Sequence, residues 1–299
     1  MAKTREIKKR IKAVANIRRI TKTMQMIATA KFSAALQRAT ATKPYTEGVF
    51  DLVVELGSRL ASGGSDISHP LISGAASKDA PELVLVITSD RGLCGAYNSS
   101  VLRVAMGHLN ALKGRGRSPL IELIGKKGVA FLRYNHLPVD KAYALGDKPS
   151  YDDVERIAND YMARFIKGEV SAVHVAYMKF LSAGKQAPAV LQLLPLKPPE
   201  TKKDETPAPA EGKQDIYEFS PSAEELLSEL LPAAVRATLF QAINDAVVSE
   251  HVSRMVAMKA ATDNAGKMGK LLTRKYNRAR QAQITTELTE IVTGAAALE

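Results

Sequence analysis

The chain has 299 residues, 45% of them hydrophobic but only 5% aromatic, with no tryptophan and a formal net charge of +11. A single cysteine, Cys94, excludes a disulfide framework and a cysteine-based metal site and fits a reducing compartment. Twelve Lys/Arg against one acid, Glu6, fall within residues 1–43, while the middle of the chain is slightly acidic; a basic end of this kind points to nucleic acid, anionic lipid or acidic protein as a partner.

The basic N-terminus is not followed by an apolar stretch, so it does not read as a secretory signal, and no run approaches the roughly 20 apolar residues of a spanning helix. Residues 3–43 contain neither Pro nor Gly. Ile7, Ile11, Val14, Ile17, Ile20, Met24 and Ile27 recur at steps of three and four, which predicts a helix with one narrow stripe, close to a coiled-coil seam. At 1.5 Å per residue it extends about 60 Å before Pro44. The spacing resumes at Val49, Leu52, Val53, Leu56 and Leu60, so Pro44 is expected to kink the helix rather than end it, and Gly63-Gly64 to close the segment.

Residues 82–195 change character. Glu82–Thr88 is a short Val/Ile-rich run, apolar on both faces, and Leu120–Ile124, Ala172–Phe180 and Val190–Leu194 are further strand candidates. Helical patterns lie near 97–113, 127–134 and 151–167. The alternation predicts a small α/β layer, Rossmann-like, with a partly parallel sheet and the first strand central. Residues 197–215 are Pro-rich and charged without apolar periodicity, a surface loop or flexible insert.

From Ala233 to Ala297 there is no Pro and the pattern is again helical: Val235, Leu239, Ile243, Val247, Met255, Met258, Ala261, Ala265, Met268, Leu272, then Ile284, Leu288 and Ile291. Such a helix, about 97 Å long, outreaches any 300-residue globule and needs a partner. The N-terminal helix carries a matching stripe, so the two ends are expected to pair as a long antiparallel coiled coil, brought close by Ala28, Ala34, Ala35, Ala260, Ala261 and Ala265. Four parts result: an N-terminal coiled-coil helix 1–62, an α/β domain 80–196, a flexible insert 197–215 and a C-terminal coiled-coil helix 216–299.

The Thr88–Asn98 turn (TSDRGLCGAYN) joins the first strand to a helix, a place where anions can bind. No Gly-Lys-Ser/Thr follows and the dinucleotide fingerprint is incomplete, so a tight turn that packs helix on strand is the favoured reading. Cys94 has no His near it in sequence, and the five His residues form no pattern. The charge of the basic helix allows nucleic-acid binding, against which stand its lack of interleaved aromatics and of any base-reading motif; a solvated coiled-coil face and a contact with acidic protein are the other readings, and charge alone does not separate them. The tip, residues 291–298, is nearly uncharged, which suits a sleeve that holds it without gripping.

Three blocks carry a family resemblance: Ile20–Ala28 (ITKTMQMIA) with Lys31; the Thr88–Asn98 turn; and Arg254–Asn264 continuing through Arg278-Ala279-Arg280-Gln281 to Glu287-Leu288-Thr289-Glu290-Ile291. Over essentially its full length the chain resembles the γ subunit of F-type ATP synthases, bacterial type. The resemblance implies a non-catalytic central stalk that rotates within a hexamer of α and β subunits and couples proton flow to ATP synthesis or hydrolysis. It implies ε-subunit and c-ring partners, no nucleic acid, no direct insertion into a membrane, and a peripheral position on the cytoplasmic side of a bacterial inner membrane. By the same resemblance Arg280, Gln281, Thr285 and Glu287 face a loop of β, Met24 with Glu250 and Arg254 forms a lower contact with β that affects coupling, and Tyr217 and Glu218 lie near the c ring. No catalytic, cofactor-binding or metal-ligating residue is assigned. Phe219 stands where the family often has Pro, the 197–215 segment is an insertion relative to shorter members, and the regulatory cysteine pair of chloroplast members is missing.

Overall fold

The computed structural model describes residues 2–62, 69–73, 77, 79–196 and 223–296. The chain opens with one helix, α1 (Ala2–Ser62), and closes with another, α6 (Ala223–Ala296). Both run through a proline, Pro44 and Pro232. Each proline forfeits one ladder hydrogen bond, a loss that two long helices absorb. The closing helix begins ten residues earlier than its sequence pattern suggests, because the Pro232 that seemed to bound it lies inside it. The helix α2 (Pro70–Ser73) is a single turn.

Between them stands a five-stranded sheet: β1 (Glu82–Ile87), β2 (Leu120–Ile124), β3 (Lys141–Tyr143), β4 (Ala172–Ser182) and β5 (Lys185–Leu194), in spatial order β3-β2-β1-β4-β5. β1 pairs in parallel with both β2 and β4, β2 with β3 likewise, and β5 returns antiparallel along β4. The crossovers are α3 (Tyr97–Gly114), α4 (Lys126–Tyr134) and α5 (Tyr151–Ile166). The first strand is central, as its two apolar faces require. β3 escaped the sequence reading because it has three residues, two of them exposed.

Alternation sorts the sheet into two layers. Leu83, Leu85, Ile87, Val173, Val175 and Tyr177 join one core cluster with Tyr161 and Phe165 of α5 and Leu231, Val235, Leu239 and Ile243 of α6. Val84, Val86, His174 and Ala176 point the other way, toward the face on which α3 packs. One buried carboxylate interrupts the first layer: Glu122 accepts hydrogen bonds from Tyr143 Oη (2.7 Å), Tyr161 Oη (2.8 Å) and Arg164 Nη1 (2.8 Å). Three donors on one carboxylate compensate for its burial. Desolvation, reinforced by that carboxylate, raises both tyrosine pKa values well above the ordinary 10.

The chain divides into two compact units, neither of which follows the boundaries of the helices. One comprises residues 33–92 and 96–250 and holds the sheet; the other comprises the described parts of 1–32, 93–95 and 251–299 and is chiefly a pair of helical stretches. Part of α6 is long and apolar enough to cross a membrane by length and composition, with 44% of that window buried within the fold. That corrects the expectation that no segment qualifies. The Leu227–Val252 stretch explains it: it is apolar because the core takes it, with Leu231, Val235, Leu239 and Val248 all fully buried.

Candidate functional site

In the helix-pair unit, Thr262 Oγ1 donates to Thr21 Oγ1 (2.9 Å) and Thr4 Oγ1 to Gln283 Oε1 (3.0 Å). As the numbering falls from 21 to 4 on α1 it rises from 262 to 283 on α6, so the two stretches run antiparallel. Sheltered positions on α6 recur at Met258, Thr262, Ala265, Gly269, Leu272, Tyr276, Ala279 and Gln283, steps of four and three. On α1 they recur at Thr4, Ile7, Ile11, Val14, Thr21, Gln25, Ala28 and Phe32. This is a seven-residue repeat, the signature of a coiled-coil seam. The place of Arg18 in that repeat is taken by a side chain that lies out of the seam; its Nε comes within 3.7 Å of where a Cβ on Gly266 would stand.

The seam differs from the stripe expected from apolar spacing. Ile17, Ile20 and Ile27 are 52%, 56% and 52% exposed, whereas the polar Thr21 and Thr262 face inward. On α6, Met268, Leu271, Ile284, Leu288, Ile291 and Val292 are likewise exposed. Of the alanines expected to bring the helices close, Ala28, Ala35 and Ala265 are buried, while Ala34 and Ala260 are exposed. The sequence pattern thus merged two sets of apolar residues: those the helices hide between themselves and those they present outward.

Charge is concentrated on the same unit. A groove of about 1200 Å³ between the helices is lined by Arg18, Arg19, Lys22, Lys259, Lys267, Lys270 and Arg274, with Asp263 the one acid, over a floor that includes Gly266 and Gly269. Like charges this close repel one another, and an acidic surface laid over them relieves the repulsion.

The structure places the residues singled out from sequence as follows. Arg280, Gln281, Thr285 and Glu287 are all exposed on α6; the hydrogen bonds around them are local, Thr285 Oγ1 to the Gln281 carbonyl (3.0 Å) and Gln283 Nε2 to Glu287 Oε1 (2.8 Å). Met24 and Arg254 are both half-buried in the helix-pair unit, with Arg254 Nη1 3.5 Å from His251 Nδ1. Glu250 belongs to the sheet-bearing unit, where it lines a small cleft. Tyr217, Glu218, Phe219 and the 197–215 insert lie outside the described residues.

The Thr88–Asn98 turn is consumed by its own structure. Thr88 Oγ1 donates to the Ile124 carbonyl (3.0 Å) and accepts from Gly128 N (2.9 Å); Ser89 N donates to Asn98 Oδ1 (3.0 Å), and Lys126 N to Asp90 Oδ1 (3.1 Å). Gly125, at φ +95°, admits this threonine, since a Cβ there would stand 2.1 Å from the Thr88 carbonyl oxygen. The glycine expected to pack helix on strand does something else: Gly95, at φ +59°, passes beside Ser253 and Ala257 of α6. Cys94 is buried. The cleft outside the carboxyl ends of β1 and β2, where open α/β sheets bind ligands, has a volume of about 20 Å³, room for a water and not for a nucleotide.

Sequence reasoning missed one cluster. Glu82 at the start of β1, His108 on α3 and His174 on β4 converge on the α3 face of the sheet, with His174 Nε2 2.9 Å from Glu82 Oε2 and the two imidazoles edge to face at 4.5 Å. Sequence separations of 26, 66 and 92 residues hide the grouping; in the strand register Glu82 stands opposite Ala172 and Val84 opposite His174, so Glu82 and His174 are diagonal neighbours on one face of adjacent strands.

The family model for ATP synthase matches residues 3–298. The chain is 43% identical over 303 residues to the ATP synthase gamma chain of Rhodopirellula baltica and 40% identical over 299 residues to that of Leptospira biflexa, covering all of both chains in each case. Among solved structures it is similar to a chain of the Euglena gracilis mitochondrial ATP synthase rotor, at TM-score 0.64 and 17% identity, covering 95% of this chain and 99% of that one. A chain of the Tetrahymena thermophila mitochondrial central stalk and c ring aligns at TM-score 0.54 and 20% identity over 81% of this chain and 99% of that one. At such identities the structural likeness speaks for the fold, and the full-length relatives speak for the family.

Proposed function

The chain belongs to the ATP synthase gamma-chain family, and we propose that it acts as the non-catalytic central shaft of that complex, turning within a hexamer of α and β subunits. The observation that carries the reading is the outward apolar set on the helix pair: Ile17, Ile20 and Ile27 on α1 and Met268, Ile284, Leu288 and Ile291 on α6. Exposed apolar side chains that follow a helix pair for several turns mark a surface that a partner covers. A close-fitting sleeve covers them on all sides; an acidic segment of that sleeve meets the seven-cation groove.

Rotation then needs little from this chain chemically. The shaft is asymmetric, so each orientation presents different side chains to the three β subunits and shifts their nucleotide affinities by differential contact. In this reading Arg280, Gln281, Thr285 and Glu287 bear on one level of β, and Met24, Arg254 and Glu250 on a lower one. Tyr217 and Glu218 approach the c ring, and the ε subunit joins the sheet-bearing part. The division into shaft helices (1–62 and 216–299), α/β domain (80–196) and insert (197–215) follows. As a part of ATP synthase the chain is peripheral to a membrane; we place it on the cytoplasmic face of a bacterial inner membrane. The comparisons lend the nucleic-acid alternative no support.

Reconstitution tests the reading. Purified chain mixed with α and β subunits should yield an ATP-hydrolysing assembly, and failure to assemble would falsify it. Met24→Lys adds a charge at the lower contact; it should leave hydrolysis largely intact while proton pumping per ATP falls. Tight coupling in that variant would remove Met24 from the contact.

A further inference from the structure

We propose that Glu82, His108 and His174 form a binding site for one divalent transition-metal ion of the Zn2+ class, a site independent of the shaft role. The donors come from β1, α3 and β4, three elements fixed in one packed layer. All three groups offer a ligand atom within 4.8 Å of the others. Ligands at the roughly 2.0–2.1 Å bond lengths of tetrahedral zinc stand about 3.3 Å apart. The His174–Glu82 contact of 2.9 Å must open by a few tenths of an ångström and the wider pairs must close, movements within the reach of side-chain torsions.

A second observation points to a ligand. His108 Nε2 is shielded from solvent and has no hydrogen-bond partner, in a chain whose buried polar atoms are otherwise almost all satisfied among the described residues. A buried ring nitrogen without a partner is what an ion would satisfy. Two imidazoles and one carboxylate suit zinc, cobalt, nickel or copper and do not suit magnesium or calcium, which take oxygen ligands. Glu82 and His108 are only half-buried, so water can fill a fourth position. The ion would clamp α3 to the amino-terminal ends of β1 and β4.

The test uses the full chain, free of any affinity tag and stripped with chelator. Addition of Co2+ should give the intense visible absorption of a four-coordinate site, saturating at one ion per chain and abolished by stoichiometric Zn2+. His108→Ala should weaken Co2+ binding by more than the roughly 10–100-fold that loss of an outer-shell partner costs. His136→Ala, at an exposed histidine away from the cluster, should leave it unchanged. Circular dichroism verifies that each variant is folded, and Glu82→Gln supplies a second ligand variant with a near-isosteric side chain. Weak six-coordinate spectra, or a titration that His108→Ala and Glu82→Gln do not alter, would overturn the site and leave a plain His174–Glu82 hydrogen bond with His108 edge-on. ATPase assembly plays no part in the readout, so failure here leaves the shaft reading untouched.

Discussion

The two compact units of this chain are built from the same helices and obey opposite rules. In the sheet-bearing unit α6 is buried nearly all round: Leu231, Val235, Leu239 and Val248 are fully buried, and Asn244 and Ser249 are enclosed as well. In the helix-pair unit the same helix hides one seam, and beyond Gln283 every described side chain is exposed. One stretch is completed by its own fold; the other keeps apolar groups for a surface the chain does not contain. Stability and function are therefore separable along a single helix, and substitutions on either side of residue 250 should differ in kind.

The largest effect is expected in the sheet-bearing unit at Gly125. Gly125→Ala sets a Cβ 2.1 Å from the Thr88 carbonyl oxygen at a φ of +95°, and loss of about 4 kcal/mol or of soluble chain is the outcome that expression and urea unfolding should read. Next comes Glu122→Ala, which strips the Arg164 guanidinium and two tyrosine hydroxyls of their acceptor; about 3 kcal/mol should vanish from the urea-derived stability. A loss below 1 kcal/mol would mean that water or another group takes the carboxylate's place.

A smaller effect has a pH signature. Asp245 is half-buried and accepts from Gln241 Nε2 at 2.8 Å, and desolvation lifts its pKa above the usual 3.8. A carboxyl raised by folding favours the folded state while it is protonated, and that advantage is lost as pH climbs through the folded value. Asp245→Asn should therefore gain on the native chain at pH 7, by about 1 kcal/mol or less, and the gain should disappear below pH 4. A gain that persists in acid would assign the effect to packing. Least of all should Leu288→Asp change the stability of the chain, within about 0.5 kcal/mol, because the side chain is 58% exposed. Its effect should show in assembly with α and β subunits, measured as ATPase activity recovered on reconstitution; unchanged activity would break the contrast between the units.

How far the fold could be read from sequence follows the same division. Strands and crossover helices obeyed local rules, since Val/Ile runs and 3.6-residue patterns belong to a packed layer. The seam did not, because apolar spacing counts Ile17, Ile20 and Ile27 as inward when only a partner can bury them, and it overlooks Thr21 and Gln25, which are polar and sheltered. The burial of Glu122 was invisible for another reason: its three donors lie 21, 39 and 42 residues away. The candidate contacts Arg280, Gln281, Thr285 and Glu287 came from resemblance. Their side chains have the composition of any solvated helix face, and nothing in their spacing distinguishes them.

The seven-residue repeat has a mechanical corollary. Helices that keep such a repeat wind about each other with a left hand. Torsion applied in the sense that tightens the winding presses alanine, glycine and threonine positions together, and they soon meet backbone. Torsion in the other sense parts the strands and is opposed only by weak dispersion and a few hydroxyl bonds such as Thr262 to Thr21. A twisting element of this construction is a one-handed spring, stiffer in the sense that tightens its left-handed winding than in the sense that loosens it, and its elastic asymmetry is written in the chirality of its amino acids.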